Sequence, residues 1–322
     1  MKMKKELKLL FAVILAVVFL IGCSGYGGQD ADRPIDLKFH TGTQGLVMNF
    51  MKNAPPDRMF DGDKVDFVVE VKNRGAYPET DSLQGNLYIS GYDVNAFQDQ
   101  GWDGGNILPS TLQGITENNP VGGYAAKTFR ATVKVPFEGD SYSPTIVVSS
   151  CYTYKTIAEA SICIDPEPYR TSDEPQVCTI HDVSLSGGQG APIAVTKVEE
   201  DVTKDKVIFK IYVKNSGGGR VFTTDAFNNN KCPSLLDFAD VNKLVLDGGS
   251  LGVQLPGAGQ AECTPKGTYD DPIRLVDGYG VMTCSFQKPI TAGSAYTTTL
   301  QVRLDYGYTS TIQKTIKIIN IE

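Results

Sequence analysis

An alternation of apolar and polar residues, the period of a β-strand with one buried face, runs through most of this chain. It is clearest at residues 65–75, VDFVVEVKNRG, and at residues 207–217, VIFKIYVKNSG. The same period predicts strands near 46–51, 65–72, 85–91, 128–135, 145–154, 158–164, 193–199, 206–214, 243–247, 281–287, 296–306 and 311–319. No long stretch keeps a helical period, and SLLDFA at 234–239 predicts at most one short helix.

The two clearest strands are copies of one motif, which indicates an internal repeat. They match at Val65/Val207, Phe67/Phe209, Val71/Val213, Lys72/Lys214, Asn73/Asn215 and Gly75/Gly217. A second similarity has an offset of 154 residues, at which YTYKT from Tyr152 matches YGYTS from Tyr306. A period this long indicates tandem domains rather than a solenoid.

The repeat sets the expected domain organisation. Six to seven short strands in each copy, separated by Gly, Asn, Asp and Pro, predict an all-β chain of two tandem immunoglobulin-like β-sandwich domains. Domain 1 is expected at 35–165, with a long loop at 90–124, and domain 2 at 179–322. Residues 166–178 are the expected linker, because DPEPYRTSDEPQ at 165–176 is rich in proline and acidic groups.

The N-terminus has the pattern of an export signal. Four lysines precede an apolar run from Leu9 to Ile21, which is shorter than the roughly 20 residues needed to span a bilayer core. Leu-Ile-Gly-Cys at 20–23 resembles the lipobox of prokaryotic lipoproteins, and this resemblance implies a signal peptide at 1–22 and a lipid on Cys23. Residues 23–34, small and Gly-rich, then form a flexible tether. The alternative is an uncleaved signal-anchor helix, and either places the rest of the chain outside the cytoplasm.

Charge and cysteine content narrow the class further. Removing the four lysines and one glutamate of residues 1–22 takes the net charge from −7 to −10, which argues against a nucleic-acid partner. An even number of cysteines in an exported chain favours disulfides over the rival zinc site, which would need four convergent ligands. The six are Cys151, Cys163, Cys178, Cys232, Cys263 and Cys284.

The repeat also suggests a disulfide pairing. At the offset of 154, Cys151 corresponds to Asp305 and Cys163 to Lys317, a cysteine pair in one copy and opposite charges in the other. Both pairs fit positions that face each other across a final hairpin, so we predict Cys151–Cys163. The remaining four cysteines allow three connectivities, of which the loop location of Cys232 and Cys263 weakly favours that pair.

The strand that ends in V-K-N-x-G resembles CARDB-type modules, the cell-adhesion-related domains of bacteria and archaea, and related immunoglobulin-like envelope modules. The resemblance covers this strand and, more loosely, the last two strands of each copy. It implies a prokaryotic, archaeal-type surface lipoprotein built from spacer or binding modules, and it carries no catalytic motif.

Candidate catalytic and metal-binding patterns are few. GGSLG at 248–252 matches the G-x-S-x-G nucleophile elbow, but both histidines, His40 and His181, precede Ser250, and Asp-Gly-Gly favours a turn. Asp61, Asp63 and Asp66 in DGDKVD could bind calcium, although a turn before a strand explains them without a metal. We therefore expect no catalytic residues, no metal and no cofactor.

The loop at 90–124 is the best candidate for recognition, because loops this long are usually functional or disordered. It holds the sole tryptophan, Trp102, with Tyr92, Phe97 and Tyr124. These aromatic rings could stack on a sugar or contact a protein, or Phe97 and Trp102 could fold back as a lid on the sandwich.

The expected function is that of a non-enzymatic, lipid-anchored structural or interaction protein on the outer face of the cell membrane. Its expected partners are other envelope or cell-surface proteins. The alternative is a binding module for a small solute or glycan.

Overall fold

A computed structural model describes residues 39–79, 83–99, 102, 106–109, 111–136, 139–167, 177–288 and 295–321. The predicted signal, Cys23, the tether and most of the predicted linker lie outside these residues. The first half of the described chain, up to residue 167, contains nine strands. They are β1 Leu46–Phe50, β2 Arg58–Phe60, β3 Lys64–Asn73, β4 Gly85–Ser90, β5 Phe97–Asp99, β6 Asn106–Ile107, β7 Tyr124–Val133, β8 Ser141–Tyr142 and β9 Thr145–Ile164.

The second half, from residue 177, continues the all-β design. Its elements are β10 Val183–Ser184, β11 Ile193–Val202, β12 Lys206–Asn215, β13 Arg220–Phe222, α1 Thr224–Asn228, β14 Lys243–Leu246, a 3-10 turn at Gly249–Gly252, β15 Val253–Gln254, β16 Glu262–Thr264, β17 Ile273–Arg274, β18 Tyr279–Gln287, β19 Tyr296–Thr315 and β20 Lys317–Ile319. The all-β prediction is confirmed. The short helix begins after Thr223, whose side chain caps it, and not at 234–239.

In the described part of the chain, three main sheets bury one large hydrophobic core, and a second, smaller cluster surrounds Cys151 and Cys232. The first outer sheet has the order β1-β3-β7-β5, and the second outer sheet has the order β10-β11-β12-β18-β16. Each contains one copy of the V-K-N-x-G strand, β3 or β12. The eight-stranded central sheet has the order β17-β14-β19-β9-β4-β6, with β13 and β15 also paired to β19, so it takes strands from both halves. Among the described residues, no helix has the length and apolar character needed to cross a membrane.

The two halves are joined through their longest strands. β9 and β19 pair antiparallel over all 20 residues, from Thr145↔Thr315 to Ile164↔Tyr296. The predicted hairpins at 145–154/158–164 and 296–306/311–319 are therefore wrong, because 145–164 and 296–315 are each continuous strands that pair with each other. Residues Leu37–Glu322 form one compact unit, which differs from the two separate tandem domains that were expected. Alternation shows where strands lie but not which strand each one pairs with.

The register of the β9–β19 pair relates the two copies of the repeat by an approximate two-fold axis. Tyr152 pairs with Tyr308 and Tyr154 with Tyr306, whereas the repeat makes Tyr152 equivalent to Tyr306 and Tyr154 equivalent to Tyr308. When residue i of one copy contacts residue j of the other and j contacts i, the contact is isologous, as in a symmetric dimer. Inside one chain, the two copies of the repeat meet in this way.

The repeated V-K-N-x-G strands contact the repeated tyrosines of β9 and β19. The Tyr154 hydroxyl donates to Asn73 Oδ1 over 3.1 Å, and the equivalent Tyr308 hydroxyl donates to Asn215 Oδ1 over 2.9 Å. Each asparagine also donates to a backbone carbonyl four residues later, at Tyr77 and Gly219. The asparagine of V-K-N-x-G therefore links an outer sheet to the buried tyrosines of the central sheet.

Candidate functional site

The β9–β19 pair has two different faces. Its even-numbered residues, such as Tyr154 and Tyr306, face the core, because successive side chains of a strand point to opposite sides. On the other face, Thr153, Lys155 and Asp305 form the floor of a cleft of about 500 Å³, which we call the polar cleft. The other residues that line it are Tyr77, Gln84 and Tyr154 of the first half and Thr224, Asn228 and Tyr269 of the second half.

One wall of the polar cleft is the short helix α1, and several contacts hold it in place. The Cys151–Cys232 disulfide joins the segment after α1 to strand β9 of the floor. Phe222 and Ala226 are buried beside this disulfide. The hydroxyls of Thr224 and Tyr269 are 2.8 Å apart and connect the helix to the neighbouring loop. The lining is therefore fixed before any ligand arrives, which lowers the entropic cost of binding.

Charge in the polar cleft centres on three groups. Lys155 Nζ is 2.9 Å from Asp247 Oδ1 and 5.9 Å from the centroid of the Tyr77 ring. Burial opposes the charge of Lys155, but the hydrogen bond and the attraction of Asp247 raise the pKa of the lysine. Asp305 lies directly opposite Lys155 on the neighbouring strand. Burial raises the pKa of Asp305 to about 6, with Lys155 acting in the opposite direction.

The sequence carries a signal for this site in two of its strands. Lys155 and Asp305 are charged residues inside tyrosine-rich strands, YTYKT and LDYGY, where aromatic or leucine side chains recur at alternate positions: Tyr152, Tyr154, Leu304, Tyr306 and Tyr308. Charges at alternate positions of such a strand indicate its second face. That the two charges share one cleft depends on the β9–β19 register, which belongs to the tertiary structure.

A second cleft, of about 620 Å³, lies farther along the same strand pair, with Glu159, Thr299 and Gln301 among its lining residues. We call it the apolar cleft, since Leu251, Val253, Leu255, Pro256 and Ala258 also line it. Ser250 sits at its edge in the 3-10 turn between β14 and β15, which confirms the turn interpretation of GGSLG. Gln260 Nε2 donates a hydrogen bond to Ser250 Oγ.

The two histidines have other contacts. His40 Nε2 is 3.2 Å from Glu79 Oε1, and His181 Nδ1 is 2.9 Å from the backbone oxygen of Thr179. The hydroxyl of Ser250 thus contacts an amide, and the hydrogen bonds of both imidazoles go elsewhere. This arrangement does not assemble the serine–histidine pair that nucleophilic catalysis requires.

The predicted aromatic recognition loop is mainly a lid on the core. Trp102 is 3% exposed and Phe97 is 1% exposed. The Trp102 ring centroid is 5.5 Å from that of Phe67 and 4.7 Å from that of Tyr92, edge to face in both cases. The lid alternative is therefore confirmed for Phe97 and Trp102, and an exposed stacking platform on Trp102 is wrong. Burial removes the large apolar surface of these rings from water and so stabilises the folded chain, whereas an exposed ring would forgo this free energy.

Tyr124 does not join this cluster. It lies on β7, about half exposed, and its hydroxyl donates to Glu70 Oε1 over 2.9 Å. The structure thus brings together Tyr92, Phe97 and Trp102 and separates Tyr124 from them.

The three aspartates of DGDKVD have protein partners. Asp63 accepts a hydrogen bond from the Phe60 backbone nitrogen over 2.8 Å, as in a turn. Asp61 accepts from the backbone nitrogen of Val135, and Asp66 lies 3.4 Å from the Arg130 guanidinium. These contacts support the turn interpretation over the calcium alternative. Within the described ranges, no cluster of three or more His, Cys, Asp or Glu residues could hold a metal ion.

All six cysteines of the described chain form disulfides, as predicted, but with different partners. The pairs are Cys151–Cys232, Cys163–Cys178 and Cys263–Cys284. The predicted Cys151–Cys163 bridge is wrong because both residues belong to β9, twelve positions and therefore about 40 Å apart along one strand. The weakly favoured Cys232–Cys263 pair is also wrong, since Cys263 faces Cys284 across β16 and β18. The repeat equivalents Asp305 and Lys317 do not face each other either, because Lys317 pairs with Arg58.

Glu200 is a buried carboxylate near one of these disulfides. Its Oε2 accepts a hydrogen bond from the Cys163 backbone nitrogen over 3.3 Å, and in the described part of the chain its buried Oε1 has no partner. Burial raises the pKa of Glu200 from 4.5 to about 7, against the opposing effect of that hydrogen bond. Between pH 4.5 and about 7, the Glu200 carboxyl is therefore protonated in the folded chain and ionised in the unfolded chain.

We expect Glu200→Gln to stabilise the protein at pH 8, by about 1–3 kcal/mol, and to have little effect below pH 4.5. Because the native pKa is the higher one, wild-type stability falls as pH rises from 4.5 to 7, and glutamine removes this loss. Urea unfolding at pH 4, 6 and 8 measures the trend. The control is Glu199→Gln, whose carboxylate is hydrogen bonded to Lys197 and whose pKa is lowered. An equal effect of Glu200→Gln at every pH would contradict the buried charge.

Comparisons with known proteins do not identify a family for this chain. No family model matches this chain, and no curated protein matches it. Among solved structures, the crystal structure of the CupB6 tip adhesin from Pseudomonas aeruginosa aligns with 87% of this chain and 98% of its own, at 9% identity and a TM-score of 0.20. A score this low carries no argument about fold or function.

Proposed function

We propose that this protein is a non-enzymatic, lipid-anchored structural or interaction protein of the cell envelope, held on the outer face of the membrane through Cys23. The observation that carries the proposal is the pairing of all six described cysteines in three disulfides. Disulfides persist in oxidising compartments, so the chain is expected outside the cytoplasm. The lipobox-like residues 20–23 supply the proposed means of attachment.

The fold suits a rigid extracytoplasmic module. Two copies of a strand-rich repeat share a central sheet through 20 consecutive residue pairs, and two disulfides tie strand β9 of this sheet to the segments that contain Cys232 and Cys178. We also propose that each copy is an immunoglobulin-like, CARDB-like module, which the repeated V-K-N-x-G strand supports. The hydrogen bond from Gln260 to Ser250 and the separate contacts of the two histidines favour a binding role over hydrolysis.

We expect the protein expressed with its own N-terminus to pellet with membranes and to begin at a Cys23 that carries diacylglycerol. Cys23→Ala should abolish the lipid and leave the signal uncleaved, because in the lipoproteins that residues 20–23 resemble, the peptide bond before the cysteine is cleaved after its sulfur has been lipidated. Intact-mass spectrometry of membrane and soluble fractions provides the measurement. The control is Cys163→Ala with Cys178→Ala, which changes two cysteines but should leave the lipid in place.

Two results would count against the anchor. An unlipidated wild-type chain that keeps residues 1–22 in the membrane would show the signal-anchor alternative. Cytosolic material with free thiols would overturn the envelope location as well.

The second candidate function is capture of a small solute or glycan. The specific observation that favours it is the polar cleft, since clefts of this size with converging polar groups are typical ligand sites. This site replaces the loop at 90–124, whose main aromatic side chains are buried.

A further inference from the structure

We propose that the polar cleft is a saccharide-binding site in which Asp305, Asn228 and Tyr269 contact the hydroxyl groups of one or two sugar rings. This inference rests on the second candidate function, capture of a small ligand, and does not depend on the lipid anchor. It names the ligand class and the residues that would recognise it.

The residues that line the polar cleft include both hydrogen-bond donors and acceptors. Each sugar hydroxyl both donates and accepts hydrogen bonds, so its site must present both kinds of group. The Asp305 carboxylate accepts, the Lys155 ammonium donates, and the amides of Gln84 and Asn228 do both. Thr153, Thr224 and Tyr269 add hydroxyls, and the Tyr77 ring supplies an apolar surface for the C–H face of a sugar.

Charge favours a neutral sugar over an ionic ligand. Among the described residues that line the cleft, Lys155 is the only cationic one, and its charge is balanced by Asp247 at 2.9 Å. An anionic ligand would therefore find no unbalanced cation, and Asp305 would repel it. A cationic ligand at Asp305 would place its charge next to Lys155, the cross-strand neighbour of that aspartate. A neutral polyol avoids both penalties and can still donate a charge-assisted hydrogen bond to the Asp305 carboxylate.

Size and rigidity support the same ligand class. The cleft volume of about 500 Å³ falls within the range of roughly 300–1,000 Å³ that small-molecule sites occupy. The floor belongs to the longest strand pair, and the Cys151–Cys232 disulfide fixes the helical wall. Weak hydrogen bonds to hydroxyls give useful affinity only when the site is pre-organised in this way.

The test is saturation-transfer NMR on the full-length protein in detergent. The probes are glucose, galactose, mannose, N-acetylglucosamine and their α- and β-linked disaccharides, with glucosamine and glucuronate as charged counterparts. Asp305→Asn and Asn228→Ala alter the polar cleft. Glu159→Gln is the matched control, because it makes the same carboxylate-to-amide change on the same strand pair, at the apolar cleft.

We expect at least one neutral sugar to bind and Asp305→Asn to weaken it by about tenfold or more, as loss of a charge-assisted hydrogen bond predicts. Asn228→Ala should weaken it severalfold, and Glu159→Gln should leave it unchanged. Asp305 is only partly buried, so the loss of its charge should not unfold the chain, and an unchanged melting temperature of Asp305→Asn checks this. The inference is overturned if no neutral sugar binds, if a charged sugar binds better than its neutral parent, or if Asp305→Asn and Glu159→Gln bind alike.

Discussion

Asn73→Ala is expected to lower the free energy of unfolding by about 3–5 kcal/mol, because it leaves several buried polar groups without partners. Asn73 is fully buried. Its amide nitrogen donates to the backbone oxygens of Tyr77 and Leu112, and its oxygen accepts from the Gly75 nitrogen and the Tyr154 hydroxyl. One side chain thus connects the first outer sheet, the segment after β3 and the centre of the β9–β19 pair. Chemical denaturation followed by circular dichroism measures the loss.

The repeat provides a matched control for this substitution. Asn215→Ala removes the equivalent side chain, which bonds Gly219, Gly217 and the Tyr308 hydroxyl but is only partly buried. Its cost should be about 1–2 kcal/mol, because water can reach the groups left behind. A smaller cost for Asn73→Ala than for Asn215→Ala would contradict the central position assigned to Asn73.

Replacing Cys151 and Cys232 together by alanine is expected to cost about 4 kcal/mol of stability, mainly because their bridge closes a long loop in the unfolded chain. The two residues are 81 positions apart and both are buried. The bridge also holds α1 over the central sheet, so the double variant should lose ordered structure at the polar cleft. Guanidinium unfolding without reductant measures the change, and hydrogen exchange at residues 222–232 reports the local effect.

The Cys163–Cys178 bridge is the comparison. It spans 15 positions, and its removal should cost about 3 kcal/mol without changing exchange at α1. If the Cys151/Cys232 double variant were as stable as the wild type, or if peptide mapping joined Cys151 to Cys163, the assigned connectivity would be wrong.

Several features of the site could be anticipated from sequence, and others could not. Alternation located β3 and β12 almost to the residue, because a strand with one buried face leaves a direct trace in composition. The size of Trp102 favours its burial, which is the basis of the lid alternative that the structure confirms. The cysteine pairing failed because it assumed a turn within 145–164, where no turn-forming residue lies between Tyr154 and Ala158. Repeat equivalence shows which positions are alike, and it does not show which positions touch.

By itself the sequence determined that this chain is built of strands, that its second half repeats its first, and that its cysteines are suited to oxidation. These are local or compositional properties, carried by period, repetition and residue type. Only the tertiary structure decided that the two copies merge through β9 and β19, which places Lys155 beside Asp305 and brings Cys151 to Cys232. The physical reason is that strand pairing joins positions about 150 residues apart through backbone hydrogen bonds common to all residues, so the choice of partner depends on the packing of the whole core.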